Sequence, residues 1–118
     1  MSAPAPTERF ICSSEALPER GDGVTFEVPW HGQSAPAFAI RYNGRVHAYL
    51  NRCAHAPVRL DWDSGGFFDH SRLYLLCATH GALYAPDSGQ CLGGRCNGKG
   101  LQALQVTERD GAVYLLSL

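Results

Sequence analysis

Two short pairs of a thiol and an imidazole stand out in the 118-residue chain: Cys53-Ala54-His55 and Cys77-Ala78-Thr79-His80, with 21 residues between them. Each pair offers one thiolate and one imidazole. If neighbouring strands present both pairs as loop tips at one end of a sheet, four ligands converge on a small volume. Two metal centres fit such a set: a tetrahedral zinc, or a [2Fe–2S] cluster with two Cys on one iron and two His on the other. A zinc finger groups its ligands as Cys-Cys and then His-His, with the second half on a helix. Here each loop mixes the types and no segment has a helical period. That grouping suits the two-iron cluster better, because each facing loop gives one Cys to the inner iron and one His to the outer iron. A structural zinc module used for protein contacts is the alternative from another class.

The elements that must position these pairs read as short strands. Arg9-Phe-Ile-Cys12 is a strand-favouring apolar run, followed by Ser13 to Pro18 as a capped single turn broken by proline. Val24, Phe26 and Val28 alternate with Thr25 and Glu27, the period of a half-buried strand. Ala37 to Tyr42 and Arg45 to Leu50 flank Asn43-Gly44, and Asn-Gly supplies the two positive φ angles of a type I′ hairpin. Leu73 to Cys77 is a further strand, Pro86-Asp-Ser-Gly89 a turn, and Gly93-Gly94 to Gly100 a loop. Leu101 to Val106 and Ala112 to Leu118 read as a closing hairpin around Arg109-Asp-Gly111. The expected fold is all-β, an antiparallel sandwich or small barrel, in one domain over 1–118 with a loose Pro/Ala leader over 1–7.

Composition bounds the partners. Ten Lys and Arg against eleven Asp and Glu give a formal net charge of −1, without the basic excess of a nucleic-acid or polybasic membrane binder. Hydrophobic residues at 45% and charged residues at 18% describe a globular chain rather than a disordered one. The longest apolar stretches fall far short of the roughly 18 to 20 residues that cross a bilayer. The N-terminus has no apolar segment after a basic one, so the expected location is cytoplasmic. Five cysteines without an export signal then favour metal binding over a disulfide framework. Cys12 and Cys91 are expected as small core residues and Cys96 as a loop thiol, with a Cys91–Cys96 bridge disfavoured in a reducing compartment. His31, His47 and His70 have no second ligand at useful spacing and fall to surface or strand positions.

With Cys-x-His, Cys-x2-His, a preceding Asn51-Arg52 and a following Gly81-Ala-Leu-Tyr84, the sequence resembles the Rieske iron–sulfur family over nearly its whole length. The resemblance implies an antiparallel sandwich with a cluster-binding subdomain of two metal loops within about 51–96. It implies one [2Fe–2S] cluster per chain, Cys53 and Cys77 on the inner iron, and His55 and His80 on the outer one. The respiratory-complex branch carries an extra cysteine in each loop; Val58 and Thr79 stand at those places, which is similar to the ferredoxin and oxygenase-associated branch. Arg95 stands where a proline usually follows Gly-Gly, and Trp62 to Arg72 looks like an insertion between the pairs. The implied function is one-electron transfer between a reductase and a terminal acceptor such as an oxygenase. The implied alternative is a small subunit or accessory domain of a larger redox enzyme. Arg52, Arg59, Arg95 and Lys99 would then form a mildly basic rim facing a redox partner.

Overall fold

In the computed structural model, residues 8–52, 67–69, 71–77, 81–94 and 100–116 are described. The expected leader, and three of the four expected ligands, Cys53, His55 and His80, lie outside them. Among the described residues ten strands follow in chain order: β1 Arg9–Ser13, β2 Val24–Trp30, β3 Gln33–Tyr42, β4 Arg45–Leu50, β5 Leu75–Leu76, β6 Leu83–Tyr84, β7 Cys91–Gly93, β8 Ala103–Leu104, β9 Val106–Arg109 and β10 Ala112–Leu115. All strand pairing between them is antiparallel. They form three sheets, in the orders β1-β10-β9, β2-β3-β4-β8 and β5-β6-β7. The fold is all-β, as the strand patterns imply.

The four-stranded sheet lies at the centre because its alternation serves two cores. On β3 and β4, the small or aliphatic residues Ala35, Ala37, Ala39, Ala48 and Leu50 face a core shared with Cys12, Leu17, Val113 and Leu115. The opposite face carries the large residues Phe38, Ile40 and Tyr49, which pack with Phe67, Leu75, Cys77, Ala82 and Tyr84. Side chains alternate across a strand, so a strand buried on both faces loses the polar half of its pattern.

The turns hold the strands in register. Asn43 and Gly44 take φ of 52° and 79°, the positive pair expected for the β3–β4 hairpin, and Glu19 accepts hydrogen bonds from both backbone N–H groups at 2.6 and 2.9 Å. A second hairpin of the same kind joins β2 to β3, where His31 and Gly32 have φ of 51° and 78°. It was not apparent from sequence, because His-Gly is a weaker turn signal than Asn-Gly. Asp110 and Gly111 close the β9–β10 hairpin in the same way.

Three local expectations are corrected. The turn after β1 is a single 3-10 turn, Ser14–Ala16, and Ser13 makes no side-chain cap to it. The strand expected over Leu73 to Cys77 is confined to Leu75–Leu76: Arg72 has a φ of 63°, and Leu73 and Tyr74 are exposed. The strand expected over Leu101 to Val106 is two strands in two sheets, β8 against β4 and β9 against β10, divided at Gln105.

An ion pair crosses between two of the sheets. Arg41 on β3 donates to both Glu108 carboxylate oxygens on β9, at 2.9 and 2.5 Å, and to the Leu17 carbonyl at 2.7 Å. The paired Arg41 guanidinium holds the Glu108 carboxyl down at about 2, from an ordinary 4.5. A depressed carboxylate stabilises the fold above its unfolded pKa and loses that contribution as pH falls toward its folded one. The stability difference between the native chain and Glu108→Gln, read from urea midpoints, is therefore expected to be full above pH 4.5 and to vanish as pH falls toward 2. A difference that stays constant over that window would show the pair contributes no charge-dependent stability.

Candidate metal centre

The second Cys/His pair grows out of the smallest sheet. β5 and β6 pair as Leu75↔Tyr84 and Leu76↔Leu83, and the ladder continues one step to Cys77, whose N–H donates to the Ala82 carbonyl at 2.9 Å. The Cys77 carbonyl accepts from the Gly81 N–H at 2.8 Å, and Gly81 takes a φ of 70° that suits glycine. Cys77 and Ala82 thus form the neck of the β5–β6 hairpin. Cys77 is fully buried and is not in a disulfide. It packs in the core of Phe38, Phe67, Leu75 and Tyr84, so the ligand candidate sits at the base of its loop rather than at the tip.

The first pair is fed by β4. Leu50 donates to the Gln102 carbonyl at 3.0 Å and Asn51 to the Pro36 carbonyl at 2.8 Å, so the backbone is pinned on two sides before Cys53. Asn51 is a buried polar residue, and Arg52 beside it is exposed. The remaining rim residues, Arg59, Arg95 and Lys99, fall outside the described residues, as do Cys96, His70, Val58, Thr79 and Trp62.

The third loop meets the second. A Cβ on Gly94 would fall 2.7 Å from the Gly81 carbonyl oxygen and 2.8 Å from the Ala82 Cα, and Gly94 has a φ of 82°. The chain following β7 therefore lies directly against the neck of the Cys77 hairpin, an approach that only glycine permits. The strand β7, Cys91–Gly93, was not among the strands expected from sequence, and it ends where the expected Gly93-Gly94 loop begins.

The other cysteines and histidines separate clearly. Cys12 is buried in the second core, where burial raises its thiol pKa, as expected of a small core residue. Cys91 differs from expectation: it packs partly buried against the core beneath β5-β6-β7, but it is disulfide-bonded. Its bridge includes neither Cys12 nor Cys77. His31 is in an exposed turn against Trp30, and His47 is half-buried on β4 with a pKa lowered chiefly by burial.

The Cys77 setting fits an iron–sulfur cluster. A thiolate ligand needs a compensating cation when water is excluded, and a metal bonded to sulfur supplies it. Among the described residues, no group of three or more His, Cys, Asp or Glu side chains forms another metal site. No helix among them is long and apolar enough to cross a membrane.

Comparison with known proteins bears on this directly. A family model described as the Rieske [2Fe-2S] domain matches residues 8–108. No curated protein matches the sequence. Among solved structures, the ferredoxin of carbazole 1,9a-dioxygenase from Nocardioides aromaticivorans IC177 is similar, with a TM-score of 0.74 and 21% identity over 95% of this chain and 99% of that one. The terminal oxygenase of carbazole 1,9a-dioxygenase from Novosphingobium sp. KA1 matches with a TM-score of 0.70 and 24% identity, over 94% of this chain but 30% of the oxygenase. A chain of the reduced complex between oxygenase and ferredoxin in carbazole 1,9a-dioxygenase matches with a TM-score of 0.74 and 19% identity, over 94% of this chain and 28% of that chain.

Proposed function

Because the chain belongs to the Rieske [2Fe–2S] domain family, we propose that it is a one-electron carrier, passing electrons from a reductase to a terminal oxygenase or similar acceptor. The observation that carries this reading is the near-complete mutual coverage with a dioxygenase ferredoxin. Cys53 and Cys77 hold the inner iron and His55 and His80 the outer one, with one cluster in a single domain. The carrier works in the cytoplasm and performs no catalysis by itself. When bound, the cluster supplies a site that accepts and releases one electron.

The chain's own residues do the rest. The Cys77 neck and the Gly94 contact keep water and bulky side chains from the inner side of the site. Ligation by two neutral imidazoles sets the charge: the oxidised centre is neutral and one electron takes it to −1, whereas a four-thiolate cluster goes from −2 to −3. Reduction that creates less charge is easier, in keeping with potentials of about −150 to +300 mV for this class against about −400 mV for plant-type ferredoxins.

The reading is tested by the EPR and visible spectra of the reduced, iron-loaded protein together with iron, sulfide and zinc analysis. Iron with acid-labile sulfide and a rhombic reduced signal are expected; colourless protein holding zinc would establish the structural zinc module instead. A second reading, a cluster domain serving a larger redox enzyme, draws on the matches to oxygenase chains, of which this chain spans 28 to 30%. Native mass in cell extract separates it from the carrier.

The potential follows from two positions after His80. The family resemblance places a serine two residues after the second histidine and a tyrosine four after it, each donating a hydrogen bond to cluster sulfur; here those positions are Ala82 and Tyr84, both fully buried. Donors to sulfur stabilise the reduced state more, because the added electron increases the negative charge there. A difference of about 1 kcal/mol per bond corresponds to roughly 40 mV for one electron. Ala82→Ser is expected to raise the potential and Tyr84→Phe to lower it, each by about that amount, in protein-film voltammetry. No shift, or a reversed one, in both variants would refute the assignment.

A further inference from the structure

The strand that leads into Cys53 and the turn that follows the Cys77 hairpin are joined by one side chain. Tyr49, on β4 and four residues before Cys53, is 2% exposed. Its hydroxyl donates to the Pro86 carbonyl at 2.8 Å in a buried hydrogen bond. Pro86 opens the β6–β7 turn, which Ala85 and Gln90 close at 2.9 Å and in which Gly89 donates to the Ala85 carbonyl at 2.7 Å. The tyrosine ring presses on the same turn: a Cβ on Gly89 would lie 2.8 Å from Tyr49 Cε1. Leu101, following the third loop, donates to the Gly89 carbonyl at 2.8 Å. The turn is thus held by the tyrosine on one side and by the returning chain on another.

From this juxtaposition we infer that Tyr49 is a positioning residue for the cluster: its bond to Pro86 fixes the strand feeding the first Cys/His pair relative to the sheet carrying the second. The inference rests on the proposed ligation by Cys53, His55, Cys77 and His80. A two-iron cluster bridges two loops from different sheets, so the separation of those loops is a first-order requirement of its geometry. This bond ties β4 to the turn of the cluster-bearing sheet, and it is shielded from water, where a hydrogen bond is stronger and its loss dearer. Removing the hydroxyl leaves the buried Pro86 carbonyl without that donor and lets the β6–β7 turn relax away from β4.

The test compares Tyr49→Phe with Val113→Ala, which perturbs the other core, in the full chain after reconstitution with iron and sulfide. Circular dichroism of both apoproteins establishes that they fold. Tyr49→Phe is expected to change the EPR g-values and visible circular dichroism of the reduced cluster, to shift the one-electron reduction equilibrium at least twofold, about 18 mV, and to shorten the half-life of cluster loss to a chelator severalfold. Val113→Ala is expected to keep the native spectrum and potential even if it lowers the melting temperature as much. A Tyr49→Phe protein with native spectrum, potential and lifetime would overturn the positioning role and leave the cluster assignment standing. Equal spectral changes in both variants would overturn it as well, reducing the tyrosine to a contributor to general stability. A native chain that assembles no iron–sulfur cluster would instead overturn the proposed function.

Discussion

A Cys77→Ala protein is expected to leave reconstitution with iron and sulfide carrying no cluster, while keeping its fold. The two halves of that expectation have separate causes. Cys77 is fully buried at the hairpin neck, and the neck is closed by backbone bonds, Cys77 N–H to Ala82 and Gly81 N–H to Cys77, that alanine retains. Replacing the thiol by hydrogen removes one heavy atom, the sulfur, from a packed site, a loss of about 1 kcal/mol. The ligand bond has no ready substitute among the described residues of that core: Cys91, packed against it, is the other sulfur there, and it is held in a disulfide. Removing any of Cys53, His55 or His80 is expected to give the same iron-free protein. Iron and acid-labile sulfide per chain, with the reduced EPR signal, decide each case; a variant with full iron and an unaltered spectrum would strike that residue from the ligand set.

How far the sequence announces this arrangement depends on whether a feature is local. The Asn43-Gly44 hairpin and the alternation of β2 depend on neighbours in the chain, and both appear as expected. The two Cys/His pairs are equally local as motifs, and their identity as a set comes from spacing and type. The passage from β8 to β9 was read as one strand because alternation continues through Gln105 while the pairing partner changes from β4 to β10. Periodicity reports which face is buried and is silent on which sheet the strand joins. The burial of β3 on both faces joins it to residues as distant as Val113 and Leu115, while the approach of Gly94 to Gly81 spans 13 positions and the bond from Tyr49 to Pro86 spans 37. Nothing in the local sequence around any one of them distinguishes it from an ordinary glycine or core tyrosine. The bridge at Cys91 was missed for another reason: a compartment was inferred from the N-terminus and then used to judge a bond that depends on which sulfurs meet.

Phe38→Ala is expected to cost about 3–5 kcal/mol, a large part of the 5–15 kcal/mol that usually stabilises a single domain. Phe38 is fully buried in the middle of β3, with its ring stacked on Phe67 at 4.0 Å between centroids and 8° between planes, and 5.8 Å from Tyr49. Phe67 in turn accepts a hydrogen bond from the Leu76 N–H at 2.8 Å, one residue before Cys77. Truncation at residue 38 opens a cavity between the central sheet and the strand that carries the ligand, where Phe67 loses its stacking partner. Thermal unfolding should begin roughly 10–30 °C lower. The position also predicts where the loss is felt. Leu17→Ala, at a fully buried site in the opposite core, is expected to cost about 2–5 kcal/mol while leaving the cluster's lifetime near native below the melting transition. Phe38→Ala should shorten that lifetime even at temperatures where the apoprotein remains folded, because its cavity adjoins the residues that hold Cys77 in place. Cluster decay followed in the visible spectrum, alongside unfolding followed in the far ultraviolet, separates the two effects. Parallel changes in decay and unfolding for both variants would mean that the two cores stabilise the cluster only through the fold as a whole.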